Sequence, residues 1–488
     1  MTEVERTIEY QARNAHVEAI QCNRIKHTPI NGSTFTKSSQ YIEFRLNNDG
    51  TFIDSPRTRL NLVFSAKSDV AGSGVHGVYT SPSIWSVFTS WEVRQGGNIL
   101  ERSQDANRMY TALSKVYSST IQNETIGSIT DLINPPNSNI PNQCAVGVKI
   151  STGADSTKPA FKTRTISVPI TLSNLFGPSA RKSYPNALLR ESTTIRLYLT
   201  PNVEEVLYAM SVGATPTYDS AATYVLTDVS LEMVHIRYGP EVMARIRDNM
   251  NDSEVSWDGV QSISSINSIS YANTARCILP NTSYSDVRNV IINQFYPVLA
   301  SNSVSMGCSP LNGTYQSQLF LDGNPIARNR PIGAQYANNP IASVPELAQS
   351  VLDLNRPFCV VDDTNTQIGL SRGNKTASKL CYTNCNTKGA TSRPYEIPSS
   401  AVPIISNFPL TADTPVAPYF GLVGFNLVRN GDPSRASIGH DCRGRQLVYE
   451  ARQTNTITDT NLCMVQAIMC VGVKYVLDTR SGILRTIY

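Results

Sequence analysis

The side chains best able to do chemistry are scattered along this chain. "IGHDCRGRQ" (438–446) brings together His440, Asp441, Cys442, Arg443 and Arg445. A cysteine beside a histidine is the raw material of a thiolate nucleophile, but such partners normally meet through the fold rather than within one loop. The stretch reads more simply as a turn leading into the strand "QLVYEA". Adjacent carboxylates stand at Glu204-Glu205 and at Asp362-Asp363. Glycoside hydrolysis needs two carboxylates about 5–9.5 Å apart across a cleft, and neighbours on a strand face opposite ways, so both pairs read as exposed surface. Cys381 and Cys385 in "CYTNC" are the closest cysteines. A structural zinc site wants a second close pair, and none follows. His235 lies on an apolar strand face and reads as a core histidine with its polar atoms satisfied. Arg181 and Lys182 in "SARKSYP" make a basic cluster too small to imply a nucleic-acid surface. No phosphate-binding glycine loop or dinucleotide fingerprint opens a helix, and "GDPSRASIG" lacks the run of glycines that cradles phosphate. The sequence therefore assigns no catalytic, metal-binding or cofactor-binding residue.

Composition points the same way. The chain has 488 residues, 42 basic and 38 acidic, for a net charge of +4. That balance gives no electrostatic case for wrapping nucleic acid. Charged residues are only 16% of the chain, against roughly 25% in an average soluble protein. Asn, Thr, Ser and Gln take their place. A surface covered by neighbouring subunits would be depleted of charge in this way. No apolar run reaches the roughly 18 residues a membrane-spanning helix needs, and the first twenty residues lack the apolar core of a signal peptide. Six Asn-X-Ser/Thr triplets occur, including those at Asn31, Asn123 and Asn312; without a secretory signal they are expected to stay unmodified. The ten cysteines are read mostly as free thiols in a reducing compartment.

The elements that would have to position any site are mainly strands. "QYIEFRL" puts Ile42, Phe44 and Leu46 on one face. "RLNLVFSA" does so with Leu60, Leu62 and Phe64, and "TTIRLYLTP" with Ile195, Leu197 and Leu199. Val229, Leu231, Met233 and His235 share a face of "LTDVSLEMVHIRY". Period-two alternation of this kind, separated by Gly, Pro and Asn turns, predicts half-buried strands of β-sandwiches. "NNDGTFIDSP", with Asp49-Gly50 and Pro56, reads as a turn.

Helices are few. One is expected over "SQDANRMYTALSKV", with Ala106, Met109, Leu113 and Val116 in a stripe. A second is expected over "SVPELAQSVLDL", where Ser343 and Glu346 have capping-box spacing. A third starts at Pro240, in the first turn where proline costs least, and carries Val242, Met243, Ile246 and Met250. Val4, Ile8, Ala12 and Ala15 give an N-terminal segment helical spacing. Residues 117–160 and 355–400 read as long, polar, outward loops.

The two halves share an order. "QGGNILER" (95–102) and "LDGNPIAR" (321–328) each place a Gly-Asn turn before an isoleucine, after a strand and before a short helix. A long apolar strand closes each half, "LTDVSLEMVHIRY" in the first and "CMVQAIMCVGVKYVLD" in the second. The strand-glycine-proline-helix break at 238–240 predicts that one domain ends there and another of the same kind begins.

In this order the chain resembles the double jelly-roll major capsid proteins of DNA viruses, nearest the polinton-like virus and virophage branch. "IEFRLNNDGTFIDSPRTRLNLVFSA", "SIWSVFTSWEVRQGGNILERSQDANRMYTALSKV", "QLFLDGNPI" and the ending "VKYVLDTRSGILRTIY" carry the likeness, which spans nearly the whole chain. The resemblance implies an all-β fold of two consecutive eight-stranded jelly rolls, with a few short helices and long polar loops. It divides the chain into an N-terminal arm (1–38), a first roll (39–238) and a second (239–488). It also implies homotrimeric capsomers tiling an icosahedral virion around DNA, without sequence-specific nucleic-acid binding. Both termini would face inward, where relatives meet penton and other minor capsid proteins or an internal membrane. A receptor- or carbohydrate-binding β-sandwich is the alternative expectation, and a β-sandwich hydrolase a third.

Overall fold

The computed structural model describes residues 19–67, 70–71, 75–80, 83–108, 127–134, 146–147, 149–151, 162–170, 173–177, 180, 182–211, 217–218, 222–250, 254–269, 274–279, 284–295, 315–326, 332–333, 422–427, 439–453 and 463–488. Eight principal strands precede residue 239: β1 (Ala19–His27), β2 (Tyr41–Leu46), β3 (Phe52–Lys67), β4 (Phe88–Gln95), β5 (Asn98–Ser103), β6 (Lys162–Pro169), β7 (Thr193–Leu199) and β8 (Thr223–Tyr238). They form two antiparallel sheets, in the orders β1-β8-β3-β6 and β2-β7-β4-β5. The helix α1 (Pro240–Met250) follows β8, as the proline in the first turn predicts. Val242, Met243 and Ile246 on it are half-buried.

A second set repeats the first. Its strands are β9 (Glu254–Ile269), β10 (Thr274–Ile278), β11 (Val287–Phe295), β12 (Tyr315–Leu321), β13 (Asn324–Ile326), β14 (Leu422–Asn426), β15 (Leu447–Gln453) and β16 (Cys463–Asp478). The sheets run β9-β16-β11-β14 and β10-β15-β12-β13. Adding eight to each number of the first pair gives the second pair. In both halves the last strand lies between the first and third, and the seventh between the second and fifth-paired fourth. That interleaving is the jelly roll, and it occurs twice. A final strand, β17 (Ile483–Ile487), turns back onto the end of β16.

The burial pattern explains the pairing. Ile42 and Phe44 of β2 stand opposite Leu197 and Ile195 of β7 in the same sheet, and these four are buried together with Leu46 and Leu199. Leu60, Leu62, Phe64 and Ala66 of β3 line the opposing sheet. Side chains alternate across a strand, so one face of each sheet fills a common core. The second core gathers Val290, Ile292, Leu319, Phe425, Tyr449 and Met469 among others.

Strand β8 keeps one face inward over 16 residues only by changing parity. Tyr224 and Leu226 are buried before Asp228; Val229, Leu231, Met233 and His235 are buried after it. The register against β3 slips between Thr227 and Ser230, and Asp228 sits at φ 49°. This is a β-bulge, with the extra residue in the left-handed region that aspartate tolerates. The predicted inward face at 229–235 is therefore the one observed.

Several expectations change. The predicted turn at 47–56 is shorter, because β3 already begins at Phe52. Pro56 lies inside that strand, at an irregularity where Ser55–Thr58 bulge between the Val234 and Glu232 pairings, so its missing N–H breaks no ladder. Residues 19–38, placed by the sequence in an N-terminal arm, contain β1, paired along Leu231–Tyr238, and a short strand at Thr34–Thr36 paired with Val225–Thr227. These residues belong to the first roll. Within the expected loop 117–160 lie a helical turn, Gly127–Thr130, and short strands at Ile133–Asn134, Val146–Gly147 and Lys149–Ser151. Residues 106–108 start the helix expected after β5. Its remainder, the helix expected at 343–354, the N-terminal segment 1–18 and the loop 355–400 lie outside the described residues.

The two predicted turns before isoleucine are two-residue hairpins, joining Gln95 to Asn98 and Leu321 to Asn324. Gly96 has φ 54°; Asp322 and Gly323 have φ 50° and 81°. Positive φ suits the twist of a tight hairpin, which is why both halves place glycine there.

Candidate functional site

Among the described residues, groups from distant parts of the chain meet extensively at the seam between the rolls. Strand β16 belongs to both cores. Val465, Ala467, Met469 and Val471 fill the second, whereas Val473, Tyr475 and Leu477, with Leu484 of β17, join the first. Alternation along a single long strand thus ties the two rolls together. Trp257 and Val255 of β9 pack against the same cluster.

Polar groups close the seam. The Gln261 side chain donates to the Leu100 carbonyl at 2.8 Å and to the Tyr475 hydroxyl at 3.1 Å. Tyr488 donates to Gln261 Oε1 at 3.0 Å, and Thr486 to the Leu100 carbonyl at 2.6 Å. Gln466 reaches the Asp105 carbonyl at 3.3 Å and Ser264 Oγ at 2.9 Å, and Ser264 donates to Asp105 Oδ2 at 3.2 Å. The Asn174 amide donates to the Val260 carbonyl. The edge of β5 is therefore covered by the second roll, which removes an exposed edge from the first.

Glu101 sits in this seam, 2% exposed. It accepts from Ser173 Oγ at 2.5 Å and from the Asn174 N–H at 2.8 Å. Burial pushes its carboxyl up to about 7, and the two donors only partly offset that. Tyr475 is raised well above the usual phenol by burial, then by the nearby Glu101.

The residues singled out by type are placed as follows. Glu205, expected at the surface, is 7% exposed. Its carboxylate accepts from Asn107 Nδ2 at 2.6 Å, Thr200 Oγ1 at 2.7 Å and Arg108 Nη2 at 2.8 Å. The sequence reading is corrected here: Glu205 is a buried, charge-paired brace, because the chain delivers Asn107 and Arg108 to it from the end of β5. His440 Nδ1 lies 3.0 Å from the Leu427 carbonyl, Cys442 is fully buried, and Asp441 pairs with Arg443 at 2.8 Å. The segment is the predicted turn into β15. Lys182 is exposed. Cys381, Cys385, Asp362, Asp363 and Arg181 lie outside the described residues.

His235 is buried as expected, yet its surroundings were not foreseen. Its Nε2 lies 2.9 Å from Nε2 of His27 on β1, with the rings stacked at 5.0 Å. Its Nδ1 lies 2.7 Å from Thr51 Oγ1 and 3.1 Å from Asp49 Oδ2. Burial, then the neighbouring His235, lower the His27 pKa to about 4. Burial also lowers His235, against the opposing pull of Asp49. Asp131 is a second buried acid, raised to about 6 by burial while accepting from the Ile84 and Leu132 N–H groups at 2.7 Å.

No protein-family model and no curated protein matches the sequence. Solved structures do match. A structure of the Sputnik virophage aligns with TM-score 0.54 at 11% identity, over 96% of this chain and 88% of that one. VP54 of PBCV-1, fitted into a reconstruction of Sputnik, aligns with TM-score 0.52 at 10% identity, over 97% of both chains. The mavirus major capsid protein aligns with TM-score 0.50 at 10% identity, over 95% of this chain and 90% of that one. This chain has their double jelly-roll fold. The likeness lies in the path of the chain, since nine in ten aligned residues differ. The double jelly roll accounts for the seam as well: two sandwiches in one chain need a shared wall, and β16 with β17 supplies it.

Proposed function

We propose that this chain is a major capsid protein, assembling as homotrimers into pseudo-hexagonal capsomers that tile an icosahedral shell around a DNA genome. The observation that carries this reading is the alignment of both rolls, in one pass, with the mavirus major capsid protein. Two rolls per chain and three chains per capsomer would give six upright sandwiches, hence the hexagonal outline. The low charge fraction of 16% supports a surface largely covered by neighbours. The mechanism is association rather than chemistry: strand faces hold each roll, the seam fixes the pair, and loops and free strand edges join chains. The chain would reside in the virion and meet penton and other minor capsid proteins at the inner face, with the roll boundary at Gly239.

Mass photometry of the purified chain tests the proposal. The expected species is three times 53.5 kDa, and electron microscopy of it should show a six-lobed ring. A chain that stays monomeric at high concentration contradicts the reading.

A further inference from the structure

Strand β1 is held lightly. It lies at a sheet edge, and its side chains at 21–27 are exposed or half-buried, none fully buried. On its outer face Arg24 pairs with Glu232 at 3.1 Å and Lys26 with Asp228 at 2.8 Å, and exposed pairs of this kind contribute little. Alternation turns Ile25 and His27 to the other face, toward the roll. Beyond the backbone ladder with β8, the strand depends on Ile25 and on the contact of His27 with His235.

A proton count fixes how much charge that contact can hold. Thr51 Oγ1 donates to Asp49 Oδ1 at 2.5 Å. Burial raises the Asp49 pKa, but hydrogen bonds from Thr51 outweigh it and hold the group below the ordinary carboxylate range. His235 Nδ1 therefore meets acceptors in Thr51 Oγ1 at 2.7 Å and Asp49 Oδ2 at 3.1 Å, and it carries a hydrogen. Its Nε2 accepts the N–H···N bond from His27 Nε2, 2.9 Å away, and both rings are neutral. A hydrogen on His235 Nε2 has no place, because it would oppose the His27 N–H across that distance. A proton on the other nitrogen of His27 keeps the bond but charges a ring that its surroundings disfavour. Burial, then the neighbouring His235, lower the His27 pKa to about 4, and Asp49, beside both rings, only partly offsets this. Once β1 lifts away, water reaches both rings and each can take a proton.

We propose that the His27–His235 contact is an acid-sensitive latch: protonation of the two rings releases β1 from β8 while the two rolls and their seam stay folded. The sign follows from linkage. The closed strand binds fewer protons than the open one, so the contribution of the pair is fully present above about pH 6.5 and is lost as pH falls toward about 4. The buried acids respond in the opposite sense. Glu101 is raised to about 7 and Asp131 to about 6 by burial, so acid favours the folded state around them. Acid thus acts selectively on β1.

Hydrogen exchange of the full-length chain at pH 8 and pH 5, corrected for intrinsic chemical exchange, tests this. Protection of residues 21–27 should fall by about 30-fold from His27 alone, while residues 465–471 of β16, in the second core, keep theirs. His27→Gln retains an N–H for His235 Nε2 and cannot take up a proton, so its fall in β1 should be several-fold smaller. The comparison of β1 with β16 in the unaltered chain stands even where the variant does not fold. Full protection of β1 at pH 5, an equal loss in β16, or an undiminished fall in folded His27→Gln would each overturn the proposal.

Discussion

The Leu484 N–H donates to Gln95 Oε1 at 2.6 Å, and the Gln95 amide donates to the Gly482 carbonyl at 2.9 Å. One buried side chain at the end of β4 thus holds both ends of the turn into β17, nearly 390 residues downstream. Gln95→Leu keeps the volume and leaves the Leu484 N–H without its acceptor. An unmet buried donor costs about 1–3 kcal/mol. Thermal unfolding should begin earlier, with exchange of residues 483–487 rising before that of β2 or β7. Unchanged exchange at 483–487 would mean the seam does not depend on this bridge.

Gly482 meets a second constraint in the same turn. Its φ is 66°, and a Cβ there would lie 2.7 Å from the Arg190 backbone nitrogen, which donates to the Gly482 carbonyl at 3.0 Å. Gly482→Ala should cost about 1–2 kcal/mol for the left-handed backbone alone, with a further cost for displacing Arg190. Differential scanning calorimetry should show a lower transition temperature. A Gly444→Ala change, where φ is 67° and the space is open, isolates the backbone part.

Leu231 is fully buried in β8, between Val229 and Met233. Leu231→Asp places a carboxylate in the first core without a partner. Such a group either stays charged at a cost of several kcal/mol or takes up a proton. The variant should fail to accumulate as soluble protein, as a fractionation gel would show. Soluble trimers of it would mean that the inward face of β8 has been misassigned.

What could be read from letters was whatever depends on neighbours in sequence. Alternation at Ile42, Phe44 and Leu46, the glycine hairpins at Gly96 and Gly323, and the helix at Pro240 are local. Strand β1 escaped because it is an edge strand whose residues 21–24 are exposed, so "AIQCNRIKH" shows no apolar period. Glu205 escaped because its partners Asn107 and Arg108 stand almost a hundred residues away. The His27–His235 pair spans 208 positions. The Asp228 bulge shifts a face without altering any residue type, and only pairing with β3 reveals it. Polar groups buried by long-range closure carry no local signature, and those are the groups that make up the seam.

Glu101 gives the seam a dependence on pH. Its folded pKa, about 7, lies above the ordinary 4.5, so the native state binds its proton more tightly than the unfolded chain does. The sign follows from linkage: this group's contribution is fully favourable below about pH 4.5, declines as pH rises through 7, and is flat above. At roughly 1.4 kcal/mol per unit the loss is on the order of 3 kcal/mol. Glu101→Gln cannot ionise and keeps an oxygen for the Asn174 N–H. Denaturant unfolding at pH 5 and pH 8 should therefore show the original chain losing more stability between the two values than the variant. Asp131 titrates in an overlapping range, raised to about 6, and is common to both chains, so the difference between them isolates Glu101. Equal losses in the two chains would place the carboxyl of Glu101 in contact with water, and the seam would then be looser than the packing of Tyr475 and Leu484 requires.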